Sequence, residues 1–330
     1  MTGQQKQNFI SAASWAALIR VAGFGAVVLF SVAPSAFAWG CDGHKVVAKI
    51  AYERLSREAK AAANALLAQL PFDPAVNHYC TSDGNLFVDV STWADDIRKV
   101  RPETASWHYV NLPLGTTKYD AKYCPQKQSC VVEAIGKQLA ILRDENATAA
   151  DQSMALLFVI HFVGDLHQPL HDTSNNDRGG NCVPVTFYGT EPVESENESF
   201  RPNLHSVWDV ELVTKAMNGK SVSDFAAFLE GEFGHETETW AKQKVDVAGW
   251  AVNGEKLAEK DVYGKLQRKI SIAAPVELKV CSDDHGVGER MEKLHEVVDE
   301  GYERETRETL ERQLAAAGVR LAAILNDVWK

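Results

Sequence analysis

The chain has 330 residues, 45% of them hydrophobic, which is enough apolar material for a sizeable core and excludes a protein that is disordered overall. Acidic residues outnumber basic ones by 45 to 34, and the formal net charge at pH 7 is −11. That balance excludes a surface that attracts polyanions everywhere, so a site for a polyanion needs strong local positive charge.

The first 38 residues predict a secretory signal peptide. An apolar stretch at residues 21–33 is followed by Ala36-Phe37-Ala38, which has the A-x-A form of a cleavage site. The stretch is short for a bilayer span, so a retained membrane anchor is the less favoured alternative. Cleavage at Ala38-Trp39 removes Lys6 and Arg20 and no acidic residue, so the net charge changes from −11 to −13.

The mature chain, residues 39–330, is expected to be secreted or periplasmic. No second apolar run of spanning length follows, so we expect no stable membrane association. All six cysteines lie in this part, and an even number in an exported chain suggests disulfide bonds. Of the many possible pairings, the sequence favours only the short loop between Cys124 and Cys130. The absence of a C-x-x-C motif argues against a thiolate zinc site.

Helical patterns dominate the mature chain. The pattern after His44 ends near Leu55, and Ser56 is a suitable N-cap for an alanine-rich helix that runs to about Leu70. A loop at residues 71–85 and a short extended segment at 107–113 interrupt the helices. Further helices are predicted at residues 88–100, 131–143 and 154–165, from residue 203, from residue 221 onward, and at 313–326.

Residues 172–202 form the longest irregular region. Alternating residues at 183–189 predict a short strand, which Pro184 confines to a sheet edge. No internal repeat, heptad pattern or proline-rich linker divides the mature chain. The sequence therefore predicts one all-α domain at residues 39–330, with a short β-hairpin-like loop region.

Candidate metal-binding residues are concentrated at the end of the helix that begins near residue 154. His161 and Asp165 are four residues apart, so they share one helix face. Pro169 cannot continue the helix, which places His171 just beyond its end. Two imidazoles and a carboxylate that converge in this way are typical of zinc binding. The alternative is a buried polar cluster held by hydrogen bonds.

A second pair, His205 and Asp209, repeats the same four-residue spacing. Each pair alone is a weak signal, and the repetition strengthens it. His44, Asp95 and His108 are further candidate ligands. Carboxylate oxygens mixed with imidazole, without thiolate, favour a catalytic zinc site over a structural one.

The combined motifs resemble the trinuclear-zinc, single-strand-specific nucleases of the S-one/P-one type, also called plant type I or mung-bean-type nucleases. The resemblance spans essentially the whole mature chain and implies the mainly helical fold that these nucleases share with zinc phospholipase C. It is carried by Trp39-Gly40-x-x-x-His44, Trp93-Ala94-Asp95-x-Ile97-Arg98, Trp107-His108-Tyr109, the stretch from His161 to His171, Gly179-Gly180-Asn181, Asn203-Leu204-His205-x-x-Trp208-Asp209, and the C-terminal helix at residues 313–326.

The resemblance implies three zinc ions. Asp165 would bridge two of them, and Trp39 would bind through its α-amino nitrogen and its own carbonyl oxygen. That amine exists only after cleavage behind Ala38. The implied ligand sets are Asp95, His108, His161 and Asp165 for the first ion, His171, His205 and Asp209 for the second, and His44, Asp165 and Trp39 for the third.

The implied reaction is hydrolysis of phosphodiester bonds in single-stranded DNA and RNA to 5′-mononucleotides, together with 3′-nucleotidase activity. A metal-activated water would attack phosphorus, with Asp95 as a group that orients the water and Arg98 as the cation that steadies the developing charge. Three zinc ions against three aspartate ligands leave local positive charge, which can attract phosphate to an acidic protein.

The resemblance also implies a pocket for the base. Tyr109 occupies the place of an aromatic residue that stacks on a base, with an ordinary core position as the alternative. Asn111 stands where fungal members have an acidic residue, and Arg178 stands where they tend to be apolar, so base preference is open. The other wall of the pocket would consist of Arg178, Gly179, Gly180 and Asn181.

Two other functions remain as alternatives. A zinc phospholipase C shares the implied fold and metal site, but such enzymes resemble this chain less at the last ligand, where they carry Glu and this chain has Asp209. A non-catalytic, zinc-stabilised secreted binding protein would not need the complete ligand set together with Arg98.

We expect the protein to be a monomer. We also expect His167 to form structural hydrogen bonds.

Overall fold

The computed structural model describes residues 39–70, 80–125, 129–194, 200–266, 281 and 296–330. Most of these residues are helical, as predicted. The predicted signal peptide lies outside the described residues. The α-helices are α1 (Cys41–Arg54), α2 (Arg57–Leu67), α3 (Leu86–Asp89), α4 (Trp93–Ile97), α5 (Val131–Arg143), α6 (Ala149–Asp165), α7 (Leu204–Ser206), α8 (Leu212–Met217), α9 (Val222–Glu232), α10 (Gly234–Lys242), α11 (Val247–Leu257) and α12 (Glu300–Val328).

Helix α12 runs through the core and packs against α1. Gly318 makes the close approach possible, because a Cβ atom there would lie 2.6 Å from Cβ of Ile50. The predicted C-terminal helix is confirmed, and it begins earlier than predicted. Its first turn is capped by Asp299, whose side chain accepts hydrogen bonds from the backbone N–H groups of Gly301 and Tyr302.

Helix α6 crosses the core toward α1. Thr148 caps its N-terminus by accepting a hydrogen bond from the backbone N–H of Asp151. Every residue from Ala155 to Asp165 is buried. The helix ends at Asp165, and a 3-10 turn at Pro169–His171 follows, as Pro169 predicts. The predicted helix at residues 131–143 coincides with α5.

The prediction of one helix at residues 88–100 is wrong. The structure has α3, a 3-10 turn at Val90–Thr92 and then α4, which ends at Ile97. The hydroxyl of Ser91 donates to the carbonyl of Val88 at 2.7 Å, a local bond that competes with regular helix. The predicted extended segment begins late, because a 3-10 helix at Pro102–His108 includes its first two residues.

The strands are short and lie beside the helical core. Strand β1 (Val185–Phe187) confirms the strand predicted at residues 183–189, and it pairs in parallel with β4 (Glu296–Val298). Strands β2 (Val193–Glu194) and β3 (Phe200–Arg201) pair in antiparallel fashion and account for the predicted hairpin-like region. The mainly helical fold is therefore confirmed.

The six cysteines form three disulfide bonds, and the short loop predicted between Cys124 and Cys130 is one of them. The other two bonds, which the sequence left open, are Cys41–Cys80 and Cys182–Cys281. Among the described helices, none combines the length and the apolar character that crossing a membrane requires.

Candidate metal centre

Histidine and aspartate side chains converge in three groups that could each hold a metal ion. Within a group, the candidate ligand atoms all lie within 4.8 Å of one another, and every member is buried. Two groups share His161, and we call them the paired clusters. The remaining group is called the third cluster. The groups are His44, His161 and Asp165; Asp95, His108 and His161; and His171, His205 and Asp209.

The paired clusters are assembled around Asp165 at the C-terminal end of α6. Oδ2 of Asp165 lies 2.9 Å from Nδ1 of His108 and 3.2 Å from Nε2 of His161. The other oxygen, Oδ1, lies 3.3 Å from Nε2 of His44 on α1. Asp95 on α4 completes the group, with Oδ1 3.6 Å from Nδ1 of His108. Asp165 thus stands between the two groups, where a bridging carboxylate is expected.

Burial and neighbouring charges have opposing effects on the pKa values of the paired clusters. Burial lowers the pKa of His44, and it lowers the pKa of His108 to about 4, so both imidazoles are neutral near pH 7. Burial also disfavours a charge on His161, but Asp165 and Asp95 outweigh it and raise the pKa of His161. Burial opposes ionisation of Asp165 as well, yet the charge of His161 and hydrogen bonds from the neighbouring imidazoles hold its pKa well below the usual range.

The third cluster lies on the chain just beyond α6 and at the start of α7. Nε2 of His205 is 3.3 Å from Oδ2 of Asp209, and Nε2 of His171 is 3.8 Å from Oδ1. Asn203 caps α7 in a capping box, and a π-helical segment at Val207–Glu211 carries Asp209. Burial raises the pKa of Asp209 well above its ordinary value, although a hydrogen bond from Gln168 opposes the shift. A cation beside this carboxylate would offset that desolvation.

The outward-facing nitrogens of three histidines are fixed by backbone carbonyl groups. Nδ1 of His161 donates to the carbonyl of Ser91 at 2.7 Å, Nδ1 of His171 to His108 at 2.8 Å, and Nδ1 of His205 to Gly179 at 2.7 Å. Such bonds set the tautomer and turn Nε2 toward the cluster, which is how proteins orient metal-binding histidines.

The inward-facing atoms fit a metal. Nε2 of His44, Oδ1 of Asp165, Nε2 of His171 and Oδ2 of Asp209 are buried and have no hydrogen-bond partner among the described residues. An unsatisfied polar atom inside a protein is costly, and it is rare without a reason. The donor set is imidazole nitrogen and carboxylate oxygen with no thiolate, which suits catalytic zinc. The residues therefore fit the group that the resemblance implies.

Trp39 lies beside the cluster that contains His44. It is fully buried, and its carbonyl oxygen accepts a hydrogen bond from the backbone N–H of His44 at 3.1 Å. A Cβ atom built on Gly164 would lie 2.8 Å from Nδ1 of His44 and 3.9 Å from Cδ1 of Trp39, so both rings pack on the same spot of α6. The structure thus brings the backbone of Trp39 to the edge of the paired clusters.

Arg98 stands one helical turn beyond Asp95. Its guanidinium forms an ion pair with Oδ1 of Asp95 at 2.8 Å, and its Nε donates to the backbone carbonyl of the same residue at 3.3 Å. The side chain is 21% exposed, so its charge is not sealed in the core. Arg98 can therefore reach a ligand at the clusters while Asp95 holds it in place.

The residues predicted to line a base pocket lie around the third cluster. Tyr109 is half-buried, and both of its chain neighbours bond to His171. The carbonyl of His108 accepts from the imidazole of His171, and the backbone N–H of Val110 donates to the carbonyl of His171. Asn111 is half-buried and donates its backbone N–H to the carbonyl of Tyr123. Tyr109 and Asn111 therefore belong to the segment that holds His171.

The predicted opposite wall packs against His205. The carbonyls of Gly179 and Gly180 both accept hydrogen bonds from His205, at 2.7 and 3.3 Å. Gly179 has φ +61°, and a Cβ atom there would lie 2.3 Å from the carbonyl oxygen of Leu170, so only glycine fits. Arg178 is exposed, and the amide of Asn181 donates to its carbonyl at 2.9 Å.

His167 lies between the predicted ligands but forms structural hydrogen bonds, as expected. Its Nδ1 donates to the carbonyl of Val163 at 2.7 Å, and its Nε2 lies 2.8 Å from the guanidinium of Arg320. Burial and then the charge of Arg320 lower the pKa of His167 to about 3, so it is neutral. Its bonds link α6 to α12.

Several supporting residues were missed at the level of sequence. Gln168 donates to Oδ1 of Asp209 at 2.6 Å. Asp177 accepts from the backbone N–H of Gly180 at 3.0 Å and from the hydroxyl of Tyr263 at 2.8 Å, which fixes the glycine turn beneath His205. Gln168 lies inside the stretch from His161 to His171 and could have been suspected. Tyr263 is 86 positions from Asp177, and no local pattern links them.

Comparison with known proteins agrees with this geometry. The profile of the S1/P1 Nuclease family matches residues 39–330. Endonuclease 2 of Arabidopsis thaliana is 29% identical over 92% of this chain and 94% of its own length. Nuclease P1 of Penicillium citrinum is 26% identical over 88% of this chain and 97% of its own length, and Nuclease S1 of Aspergillus oryzae is 26% identical over 90% and 93%. Neither a phospholipase nor a non-catalytic binding protein is favoured by these matches. The chain therefore belongs to the S1/P1 nuclease family, and it is a hydrolase that cleaves phosphodiester bonds.

Proposed function

We propose that this nuclease depends on three zinc ions, cleaves single-stranded DNA and RNA to 5′-mononucleotides, and removes phosphate from 3′-nucleotides. The observation that carries the proposal is the set of buried, inward-facing ligand atoms that have no hydrogen-bond partner among the described residues, in three adjoining clusters. The proposed ligands are Asp95, His108, His161 and Asp165 for one ion, His44, Asp165 and Trp39 for the second, and His171, His205 and Asp209 for the third.

Zinc, when bound, supplies Lewis acidity that polarises the phosphate and makes hydroxide available near neutral pH. The protein contributes orientation and charge. Asp95, an acceptor held by Arg98 at 2.8 Å, orients a water through a hydrogen bond. Arg98 places a fixed positive charge where the phosphoryl oxygens gain negative charge during in-line attack. Burial excludes competing water from Asp95, whereas Arg98 remains accessible to a bound phosphate.

Selectivity for single strands would come from Tyr109. Tyr109 is half-buried and both of its chain neighbours bond to His171, so its ring would stack on an unpaired base near the third cluster, and stacking tolerates any base because each has a π face. A base inside a duplex is already stacked and paired, so it cannot reach the ring without an added cost. Asn111 offers both a donor and an acceptor to the base edge.

We also propose that residues 1–38 are a signal peptide cleaved at Ala38-Trp39, and that the enzyme is secreted or periplasmic. Three disulfide bonds support an oxidising compartment. N-terminal sequencing of the exported protein tests this directly. A first residue other than Trp39 would contradict both the cleavage site and the role of the Trp39 amine.

The decisive experiment measures metal content and substrate range in parallel. Purified mature protein is analysed for metals and incubated with single-stranded DNA, RNA, duplex DNA, a 3′-nucleotide and phosphatidylcholine. We expect about three zinc ions per chain, cleavage of the two single strands and release of phosphate from the nucleotide. His171→Ala should lose the third-cluster zinc and activity, whereas His235→Ala, on α10 and outside all three clusters, should retain both. Hydrolysis of phosphatidylcholine alone would overturn the proposal.

A further inference from the structure

A cleft of about 560 Å³ lies where four helices end. Helices α1, α5, α10 and α12 each contribute residues from their C-terminal parts. None of the described residues that line it belongs to the three metal clusters or to the predicted base pocket. We call it the basic cleft, because its charged lining residues are Arg54, Arg143, Lys242, Lys244 and Lys330, with Asp327 as the one carboxylate.

The cations of the basic cleft outnumber the carboxylate side chains that pair with them, although the chain as a whole is acidic. Asp327 accepts a hydrogen bond from Arg143 at 3.1 Å and also pairs with Lys330. Lys244 takes part in no ion pair with a described residue. The two remaining pairs, with carboxylates outside the lining, are Arg54–Glu230 and Lys242–Glu238.

The alternative role for these cations is to stabilise the helix ends. Positive charge is favourable there, because the last carbonyl groups carry a partial negative charge. At α1 part of this demand is already met, since the side-chain amide of Asn326 donates to the carbonyl of Arg54 at 3.1 Å. Lys244 lies in the chain beyond Gln243, the C-cap of α10. A helix end therefore does not account for the position of Lys244.

The floor of the basic cleft is formed by small and apolar side chains. Val319 and Ala322 of α12 are buried there, and Ala323 and Val245 are half-buried. No aromatic residue is among the described lining residues, so a ligand would be held through its charge and not by stacking of its bases. A single nucleic-acid strand can follow such a cleft, whereas a duplex is stiff.

We propose that the basic cleft is a second binding site for the phosphate backbone of single-stranded DNA and RNA, so that a long strand binds the cleft and the metal centre together. The inference rests on the proposed action on single strands. His44 in the paired clusters and Arg54 in the cleft are ten residues apart on α1, which is about 15 Å. Binding at the cleft would raise the effective concentration of a long strand at the metal centre, and a dinucleotide is too short to use both sites.

The test removes charge from the basic cleft and leaves every proposed ligand in place. Arg143→Gln, Lys244→Gln and the double variant are compared with Arg304→Gln, an exposed arginine near the opposite end of α12. The zinc-loaded proteins are titrated with a fluorescent single strand that has phosphorodithioate linkages, which keep the charge and resist cleavage. Anisotropy is followed over a range of salt concentrations, and heparin binding is measured in parallel.

Kinetics are then measured with a long single strand, a dinucleotide and a 3′-mononucleotide. Thermal unfolding checks that each variant is folded. Lys244→Arg, which keeps the charge, is included to separate the loss of charge from the loss of the lysine side chain. Arg143→Gln leaves Asp327 paired with Lys330, so it exposes no unpaired carboxylate.

We expect each substitution to weaken binding of the long strand about threefold, and the double variant about tenfold, as for other exposed charge pairs. The slope of log K against log salt should become shallower by about 0.7 for each phosphate contact that is lost. KM for the long strand should rise by a similar factor, while kcat/KM for the dinucleotide and the 3′-mononucleotide stays unchanged. Arg304→Gln and Lys244→Arg should behave like the wild type.

Unchanged strand binding and an unchanged salt slope in the double variant would overturn the proposal. With reduced thermal stability, that result would mean that the cations serve only the helix ends. With a loss of heparin binding, it would assign the basic cleft to a sulfated polysaccharide.

Equal losses on the long strand and the dinucleotide would also overturn the proposal, because they indicate damage to the metal centre. A wild-type protein that binds the long strand but cleaves no single strand would contradict the proposed function instead. The anisotropy comparison between the wild type and the double variant would still decide the role of the basic cleft.

Discussion

The paired clusters and the third cluster are built by different kinds of structure. The paired clusters take their residues from α1, α4 and α6, together with His108 at the end of a 3-10 helix, and two carboxylates lie among three imidazoles. The third cluster takes its residues from a 3-10 turn and from the junction of α7 with a π-helical segment, with one carboxylate. The paired clusters are therefore held mainly by helices. The third cluster depends on hydrogen bonds from loops.

This difference predicts how the paired clusters and the third cluster respond to single substitutions. In the paired clusters a single residue, Asp165, contacts three imidazoles, so its removal disturbs both groups at once. In the third cluster the histidines are held by carbonyls of Gly179 and His108, and Asp209 is held by Gln168. Of these supports, Gly179 and Gln168 lie outside the proposed ligand sets, so they can be changed without removing a ligand. Four experiments test this contrast.

The largest effect is expected from Asp165→Asn. The amide cannot supply a second negative oxygen to a bridged pair of cations, so about two of the three zinc ions should be lost and activity should vanish. Metal analysis after gel filtration, with circular dichroism as the check on folding, measures this. Asp209→Asn is the matched control and should cost about one ion. Loss of equal amounts of zinc in the two variants would contradict a bridging Asp165.

A retained methionine before Trp39 should also break the paired clusters. An amide nitrogen has no lone pair for a metal, so the extended protein should lose the zinc shared by His44 and Asp165 and most of its activity. Trp39→Phe, still cleaved after Ala38, keeps the amine and should keep the zinc. The two proteins are refolded and loaded with zinc in the same way before metal analysis. A fully active extended protein with three zinc ions would rule out the amine as a ligand.

Sequence spacing located the candidate ligands better than it located the residues that support them. The four-residue spacing of His161 and Asp165 and the break at Pro169 predicted the centre because helix geometry is local. The resemblance then assigned residues to three sets, and the structure brings those histidines and aspartates together. The helical fold was predictable for the same local reason.

What could not be predicted depends on distant contacts. The hydrogen bond between Tyr263 and Asp177 joins positions far apart in sequence, and neither residue stands in a recognisable motif. The kink at Ser91, which aims its carbonyl at His161, looked like continuous helix because the apolar pattern persists across it. Two of the three disulfide pairings were open because many combinations are compatible with six cysteines.

A smaller effect is expected from Tyr109→Ala, which leaves all clusters intact and removes a surface for the base. KM on single-stranded DNA should rise, with a loss of about 1–3 kcal/mol per stacked base. The preference for single strands over duplex should shrink, since stacking is what requires an unpaired base. Tyr109→Phe keeps the ring and is the matched control, with kinetics near those of the wild type. Wild-type enzyme that cuts duplex and single strands equally fast would refute this role.

The smallest effect is expected from Tyr263→Phe. This substitution tests most directly whether the third cluster is held differently from the paired clusters. The hydroxyl of Tyr263 bonds to Asp177, which accepts from Gly180 beneath His205, so its removal loosens the third cluster without touching a ligand. Zinc affinity should fall about tenfold at one site, the low end of the effect of outer-shell substitutions. Chelator competition, with zinc release followed over time, should show one ion leaving early and two unchanged. Tyr119→Phe removes a comparable hydroxyl, bonded to Glu133 at 2.8 Å, and should release zinc like the wild type. Simultaneous weakening of all three sites would mean that the clusters form one unit and that they do not differ in how they are held.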